Sequence, residues 1–495
     1  MEARRLAVVS NRLPVVLNRE GEGWSISPGA GGLVTALGPV LRDRGGLWIG
    51  WMGNTLEELS QAPLPANLLN KGAAETGYTL KPVSLTNDDV KKFYYGFSNE
   101  ILWPLFHDLP TRCNFDPGYW RTYREVNAKY AQAVVDHTDE EDYVWIHDYQ
   151  LIMVARALKQ LGVSRHTGFF LHIPFPPLDV FLKLPWRFEI LDGLMAYDLV
   201  GFQTARDRRN FLGCVKALKP GTRLMGRGSV SRLVTADREL VVGAFPISID
   251  FMEFSHVASS AAVSWQAQMI RHKLPNRRLI LGVDRLDYTK GIPNKLLALR
   301  NALERYPELR RRITLIQVVV PSRKTIQEYA LLKQEIERLV GEINGEYTEV
   351  GWTPITYLFR TLDRSQLAAY YRASDMALVT PLKDGMNLVA KEYCASSTTE
   401  DGVLILSEFA GAAVQLHHGA LMVNPYDMEG VANAILEGYR MDLRERRSRM
   451  KALRRSIRKH DIFGWVNSFL RAGIEKDLRS FPHLEFFVPS PQEAS

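Results

Sequence analysis

Two carboxylates, Asp384 and Glu392, flank the start of a helix-forming run, Asn387-Leu-Val-Ala-Lys-Glu392, with seven residues between them. At about 3.6 residues per turn, the second lies two turns into that run and the first stands in front of it. The first turn of a helix leaves backbone N–H groups unpaired, which makes it an anion site. A phosphate on the helix start, sugar hydroxyls on the acid in front and a ribose diol on the acid behind would together describe a nucleotide-sugar. A capping Asp followed by a solvated Glu looks the same in isolation, so the neighbouring elements must decide.

Those elements begin just upstream. After Asp375, the apolar run Met376–Thr380 predicts a short buried strand, ended by Pro381, and Asp384-Gly385 supplies turn chemistry before the helix. Similar apolar runs recur along the chain, separated by helix-forming stretches, which is the pattern of parallel sheets covered by helices on both faces. Leu6–Ser10, Trp48–Trp51, Val144–Asp148, Gly168–His172, Leu199–Phe202 and Leu240–Pro246 predict the strands of a first α/β half. Leu279–Val283, Ile313–Val319, Met376–Thr380, Val403–Leu406 and Leu421–Val423 predict those of a second, restarting after Asp250. The expected domains are 1–248 and 249–461, with a closing helical segment 462–480 crossing back to the first half. His147, Asp148 and His172 fall at strand ends, where ligands collect in open α/β sheets.

A polar stretch from Gly21 to Gly32, ending Ser27-Pro-Gly-Ala-Gly-Gly32, predicts a glycine-rich loop before a helix from Leu33. Glycines there would let amides approach a phosphate. Val34 stands where a dinucleotide fingerprint needs its last glycine, and no GxxxxGK[ST] run is present, so neither a Rossmann dehydrogenase nor a Walker ATPase is supported. Lys219 to Gly228 reads as a basic loop. Trp120, Tyr123, Val126, Tyr130 and Val134 recur at helical spacing and are assigned to the core.

The 495 residues, 46% hydrophobic and 24% charged, suit a soluble globular chain of two or more domains. The net charge of +7 favours anionic partners. Much of it is local to Arg444–Lys459, whose spacing fits a solvated helix with Leu453 and Ile457 inward. Cys113, Cys214 and Cys394 are odd in number and lack zinc-site spacing, which points to a reducing compartment. The apolar run after Arg5 is too short for a signal peptide, and no run approaches the roughly 18 residues of a membrane span. A cytoplasmic protein is expected.

The strings Ser10-Asn-Arg-Leu-Pro14, His147-Asp-Tyr149, Phe170-Leu-His-Ile-Pro-Phe-Pro176, Asp284-Arg-Leu-Asp-Tyr-Thr-Lys-Gly291, Trp352-Thr-Pro354 and Asp384-Gly-Met-Asn-Leu-Val-Ala-Lys-Glu-Tyr393 closely resemble the trehalose-6-phosphate synthases, from about Val8 to Tyr426. The resemblance implies an α/β fold of the GT-B type, with two Rossmann-like parallel-sheet domains facing each other across a cleft. It also implies retaining transfer of glucose from UDP-glucose to glucose 6-phosphate, with no metal and no cofactor. On the donor side it places Gly31, Gly32, Arg285, Lys290 and the segment Leu388, Val389, Ala390, Lys391 and Glu392. Glu392 would take the ribose hydroxyls and Asp384 the transferred glucose. On the acceptor side it places Arg12, Tyr94, Asp148 and Arg323, the two arginines near the phosphate, with Trp103 and His172 shaping the reaction centre. The resemblance thus names Arg285, Lys290, Asp384 and His172 as the catalytic set. Tyr94, rather than Tyr95, is the match by its distance to Trp103.

Two departures lie on the acceptor side: Gln150 follows His-Asp-Tyr where the family usually has His, and Phe93-Tyr-Tyr-Gly-Phe97 replaces the commoner Tyr-Tyr-Asn-Gly-Phe. Leu184-Pro-Trp-Arg187 and Ala217-Leu-Lys-Pro220 also resemble segments of the glucosylglycerol-phosphate synthases, which use ADP-glucose and glycerol 3-phosphate. A catalytically silent sugar-phosphate sensor on the same fold is a further alternative. The expected partners are a nucleotide-sugar and a phosphorylated acceptor, with no nucleic acid and no membrane; a homo-oligomer is compatible with the sequence.

The chemistry agrees with these roles. Charge builds on the departing diphosphate as the sugar becomes oxocarbenium-like, so fixed cations aimed there stabilise the transition state. One such contact at about 4 Å and an effective dielectric near 20 is worth on the order of 4 kcal/mol, roughly a thousandfold in rate. Arginine suits the acceptor phosphate because its planar fork binds two oxygens at once.

Overall fold

The computed structural model describes residues 5–20, 23–29, 32–61, 65, 68–226, 228–322, 327–474, 478 and 481. The described residues divide into two compact units, one running to Ile247 and resuming at Phe463, the other of Ser248–Ile462. Among the described residues, no helix is long and apolar enough to cross a membrane.

The first unit contains β1 (Leu6–Arg12), the pair β2 (Val15–Glu20) and β3 (Gly23–Pro28), β4 (Leu47–Trp51), β5 (Thr79–Val83), β6 (Tyr143–His147), β7 (His166–Phe170), β8 (Leu199–Phe202), β9 (Arg223–Met225), β10 (Val230–Val234) and β11 (Glu239–Ala244). Its main sheet runs β5-β4-β1-β6-β7-β8-β11-β10-β9. It is parallel from β5 to β11 and closes with two antiparallel edge strands. Parallel strands covered on both faces must be apolar on both, and β4 and β6 are buried at every residue.

The second unit contains β12 (Arg278–Arg285), β13 (Ile313–Val320), β14 (Ile355–Phe359), β15 (Met376–Val379), β16 (Val403–Ser407) and β17 (Leu421–Val423). These form a parallel sheet in the order β14-β13-β12-β15-β16-β17. Counted from β12, this is the order 3-2-1-4-5-6 of a Rossmann sheet, whose direction of winding reverses between β12 and β15. In the first unit the reversal falls between β1 and β6. The crevice at each reversal, beyond the carboxyl ends of the strands, is where such sheets bind ligands.

Two loop expectations are corrected. The predicted glycine-rich loop contains β3, paired antiparallel with β2 in a register that sets Leu17 opposite Ile26. Alternating apolar residues outweigh the glycines there, whose flexibility costs a strand little near its ends. The basic loop at Lys219–Gly228 likewise contains the short edge strand β9.

The helix Ile462–Ile474 packs its aromatic face on the first sheet. Phe469 stacks on Trp145 at 4.3 Å between ring centroids, and Trp465 Nε1 donates to the Phe245 carbonyl at 3.1 Å. Gly201 permits this approach, since a Cβ there would lie 2.7 Å from the Phe469 ring.

Candidate functional site

At the reversal in the second unit, β12 ends on Arg285, which is exposed. A single turn, Tyr288–Lys290, follows, capped by the Asp287 carboxylate and closed by Gly291 at φ 62°. Only glycine fits there: a Cβ would meet Leu382 at 2.9 Å and the Thr380 carbonyl at 3.0 Å. The loop after β15 is laced to this turn, because the Leu382 N–H donates to the Thr289 carbonyl at 2.8 Å.

The lacing places Lys290 against Asp384. Lys290 Nζ lies 2.5 Å from Asp384 Oδ2, both side chains largely buried. The same carboxylate accepts from the Met386 N–H at 3.1 Å and from Asn387 Nδ2 at 3.2 Å. Asp384 itself is held by the chain after β16: its N–H donates to the Phe409 carbonyl at 3.2 Å, and the Gly411 N–H donates to its carbonyl at 2.9 Å.

The helix that follows, Leu388–Ser396, is capped by Asn387, not by Asp384. Asn387 sits at φ 58° in the left-handed region that Asn tolerates, and its side chain accepts from the Ala390 N–H at 3.3 Å. The N–H groups of Leu388 and Val389 meet no acceptor among the described residues. Lys391 turns inward, 1% exposed, with its ammonium on the Gln415 amide oxygen. Burial pushes its pKa down to about 7. Glu392 accepts a hydrogen bond from the Tyr371 hydroxyl at 2.8 Å. Burial raises its carboxyl above the usual range, partly offset by that hydrogen bond and by the charge of Arg364.

In the first unit, Arg12 ends β1 with its guanidinium carbon 4.6 Å from the Trp51 ring centroid and 5.8 Å from that of Tyr94. Tyr94 rides on a π-helical stretch, Val90–Leu102, that leads directly into Trp103. Inside that stretch, Asn99 Nδ2 donates to the Tyr94 carbonyl at 2.6 Å, while its Oδ1 accepts from the Tyr149 hydroxyl at 2.9 Å. Trp103 lies 5.7 Å from the Tyr149 ring. The structure therefore brings Arg12, Tyr94, Trp103 and the residue after Asp148 onto one connected edge. Gln150, the departure next door, is buried.

Asp148 stands at φ 75°, ψ 168°, a conformation essentially reserved for glycine. It is over-determined: its N–H donates to the Phe170 carbonyl at 2.8 Å, and its carboxylate accepts from the His172 N–H at 3.1 Å. Strain of this kind concentrates where a side chain must be aimed.

His172 belongs to a buried chain whose proton positions follow from its ends. The Ile247 N–H donates to Gln203 Oε1 at 3.0 Å, so the Gln203 amide nitrogen faces His172 Nδ1 at 3.4 Å. His172 Nδ1 is then an acceptor and its proton is on Nε2, which donates to His147 Nδ1 at 3.0 Å. The remaining His147 N–H, on Nε2, is buried with no partner among the described residues. Burial lowers His172 to about 3 and His147 well below its usual value, so both rings are neutral near pH 7.

Of the donor-side expectations, Arg285, Lys290, Asp384 and Leu388 to Glu392 are gathered at the reversal of the second sheet. Gly32 opens the helix Gly32–Arg44 of the first unit. Gly31 and Arg323 lie outside the described residues. Sequence reasoning did not pick out Tyr371, Gln203 or Gly411, which touch these groups only through the fold. Among the described residues, no group of three or more His, Cys, Asp or Glu side chains gathers as a metal site requires.

Comparison with known proteins identifies the family. Residues 4–473 match the model of glycosyltransferase family 20. The chain is 45% identical over 473 residues to the trehalose-6-phosphate synthase of Mycolicibacterium smegmatis, covering 94% of this chain and 91% of that one. It is 43% identical over 480 residues to the trehalose-6-phosphate synthase of Mycobacterium leprae, covering 95% of each. Among solved structures, the UDP-forming α,α-trehalose-phosphate synthase of Burkholderia xenovorans in complex with glucose-6-phosphate superposes with a TM-score of 0.85 at 35% identity, over 95% of this chain and 100% of that one. An E. coli structure described as trehalose-6-phosphate bound with UDP-2-fluoro glucose gives 0.85 at 38% identity, over 95% and 99%. The two Rossmann-like sheets are those of the GT-B fold, and the chain belongs to glycosyltransferase family 20.

Proposed function

We propose that the chain transfers glucose from UDP-glucose to glucose 6-phosphate with retention, forming α,α-trehalose 6-phosphate and UDP. The observation that carries this reading is the contact of Lys290 with Asp384 at 2.5 Å at the reversal of the second sheet, directly ahead of a helix start with available N–H groups. A cation, a sugar-binding carboxylate and amide dipoles at one spot suit a glycosyl diphosphate. The names and bound molecules of the relatives support the same choice of donor and acceptor.

In this reading Arg285, Lys290 and the Leu388 and Val389 amides take the diphosphate, Glu392 the ribose hydroxyls and Asp384 the glucose hydroxyls, with Gly31 and Gly32 completing the donor grip. Arg12, Tyr94, Asp148 and Arg323 hold the acceptor, and Trp103 and His172 shape the reaction centre. The bond from the glucose anomeric carbon to the diphosphate oxygen breaks, its electron pair leaving with UDP. The acceptor's anomeric hydroxyl oxygen bonds to that carbon on the same face and passes its proton to the departing phosphate oxygen. Lys290 exchanges its Asp384 contact for the growing charge on the diphosphate, and Asp384 is released to the sugar.

The test is purified protein with UDP-, ADP- or GDP-glucose against glucose 6-phosphate or glycerol 3-phosphate, scoring nucleotide release. Turnover is expected with UDP-glucose and glucose 6-phosphate. Turnover confined to glycerol 3-phosphate would overturn the assignment. Lys290→Ala should lose roughly a thousandfold in kcat, and a variant as active as its parent would reject the role given to the cation.

A further inference from the structure

We infer that Tyr371 is a positioning residue that makes the donor site selective for a ribose over a deoxyribose nucleotide, by orienting the Glu392 carboxylate. The inference rests on Glu392 holding the ribose hydroxyls. Tyr371 lies on the helix Arg364–Ala373 and is 1% exposed, with its hydroxyl 2.8 Å from Glu392 Oε2. Its ring is set edge-on against Tyr393, 6.3 Å between centroids, on the Glu392 helix itself. The phenol therefore has little freedom to leave the carboxylate.

An ionised carboxylate offers about four acceptor positions and no donor. A vicinal diol needs two of them in one plane and direction. A Glu side chain has three rotatable torsions, and an unbraced one would pay rotamer entropy on each binding event. With Oε2 tied to the phenol, the carboxylate plane is set before the nucleotide arrives, and the remaining acceptor positions are presented in one orientation. Tyr371 also remains a donor across the working pH range, because burial, and then the negative charge of Glu392, push its hydroxyl well above its usual pKa.

The effect is confined to donors that carry the hydroxyls, which separates positioning from general support of the fold. KM and kcat would be measured for UDP-glucose and for its 2′-deoxyribose analogue, with the full-length parent, Tyr371→Phe and Glu392→Gln. A charge-assisted hydrogen bond predicts that the parent prefers the ribose donor by about 10- to 100-fold in KM. Tyr371→Phe should cut that preference roughly threefold to tenfold by raising KM for the ribose donor alone, with kcat at saturation within about twofold of the parent. Glu392→Gln should bring the preference close to unity. If Glu392→Gln keeps the parent's preference, Glu392 does not hold the ribose, and both that reading and the inference fail. If Glu392→Gln loses the preference while Tyr371→Phe keeps it, or if Tyr371→Phe raises KM equally for both donors, the inference alone is overturned.

Discussion

Gly411→Ala is expected to disable the donor site without touching any group assigned to a ligand. A Cβ built at Gly411 lies 1.8 Å from the Gly385 carbonyl oxygen, 2.6 Å from its carbon and 3.2 Å from the Met386 nitrogen. A carbon and an oxygen in comfortable contact are about 3.3 Å apart, so the two chains must separate by roughly 1.5 Å. All three obstructing atoms are backbone, and no side-chain rotation relieves the clash. Separation breaks the 2.9 Å bond from the Gly411 N–H to the Asp384 carbonyl and the 3.2 Å bond from the Asp384 N–H to the Phe409 carbonyl. At about 1 kcal/mol each, with a comparable term for residual strain, the loss is on the order of 2–5 kcal/mol.

The functional loss, about 2.7 kcal/mol for a hundredfold in rate, should be comparable to the structural one. Asp384 carries the Lys290 contact and precedes the helix start, and a displacement of about 1 Å costs on the order of a hundredfold in rate. The assay is kcat/KM for UDP-glucose alongside the unfolding midpoint. Gly341→Ala is the matched control: in the helix Gln327–Tyr347, nothing lies within 4 Å of a Cβ built at Gly341. There the same substitution should stabilise by about 0.5–1 kcal/mol and leave activity alone. A Gly411→Ala protein within twofold of the parent in both readouts would refute the reasoning.

Asp148 predicts an inverted ranking of Ala and Gly. Both variants lose the hydrogen bond from the His172 N–H and should lose acceptor affinity, but Asp148→Gly also releases strain at φ 75° worth about 1–3 kcal/mol. Asp148→Gly should therefore unfold later than Asp148→Ala by roughly that amount, and an Ala variant of equal or greater stability excludes stored strain. The histidine pair predicts a pH dependence. With folded-state pKa values depressed below the unfolded value, the neutral rings contribute stability above about pH 6.5, and this is lost as pH falls toward the folded pKa, about 3 for His172. For His172 the slope is about 1.4 kcal/mol per pH unit between roughly pH 6 and 4, and His147 adds to it in the same direction. Urea titrations over that range should show it, His147→Gln should reduce it, and an unchanged slope in that variant counts against a neutral pair. Nitrogen NMR should show His172 protonated on Nε2 and not on Nδ1; the opposite tautomer would break the proposed donor order.

What could be foreseen from the chain divides along a physical line. Strands β1, β4, β6, β8, β12, β13, β15, β16 and β17 are runs of apolar residues because both faces are covered, and a run of that kind is visible without knowing its neighbours. Strand β5, Thr-Leu-Lys-Pro-Val, hides behind Pro82 and Lys81, both tolerated because it is the last strand of its sheet. The hairpin β2–β3 hides behind its glycines. The charged groups of the site were visible as a motif because they are contiguous with strand ends, and strand ends carry ligands whatever the strand order. Their supports were not. Tyr371 is 21 residues from Glu392, Gln203 is 31 from His172, and Gly411 is 26 from Gly385; each pairing exists only because β15 lies between β12 and β16, or β7 between β6 and β8. A glycine that admits a carbonyl, or a phenol that aims a carboxylate, has no composition or period of its own. Substitutions at these silent positions thus test the site more sharply than removal of its charges: the charges would be expected in any anion-binding site, whereas the supports belong to this one arrangement of strands.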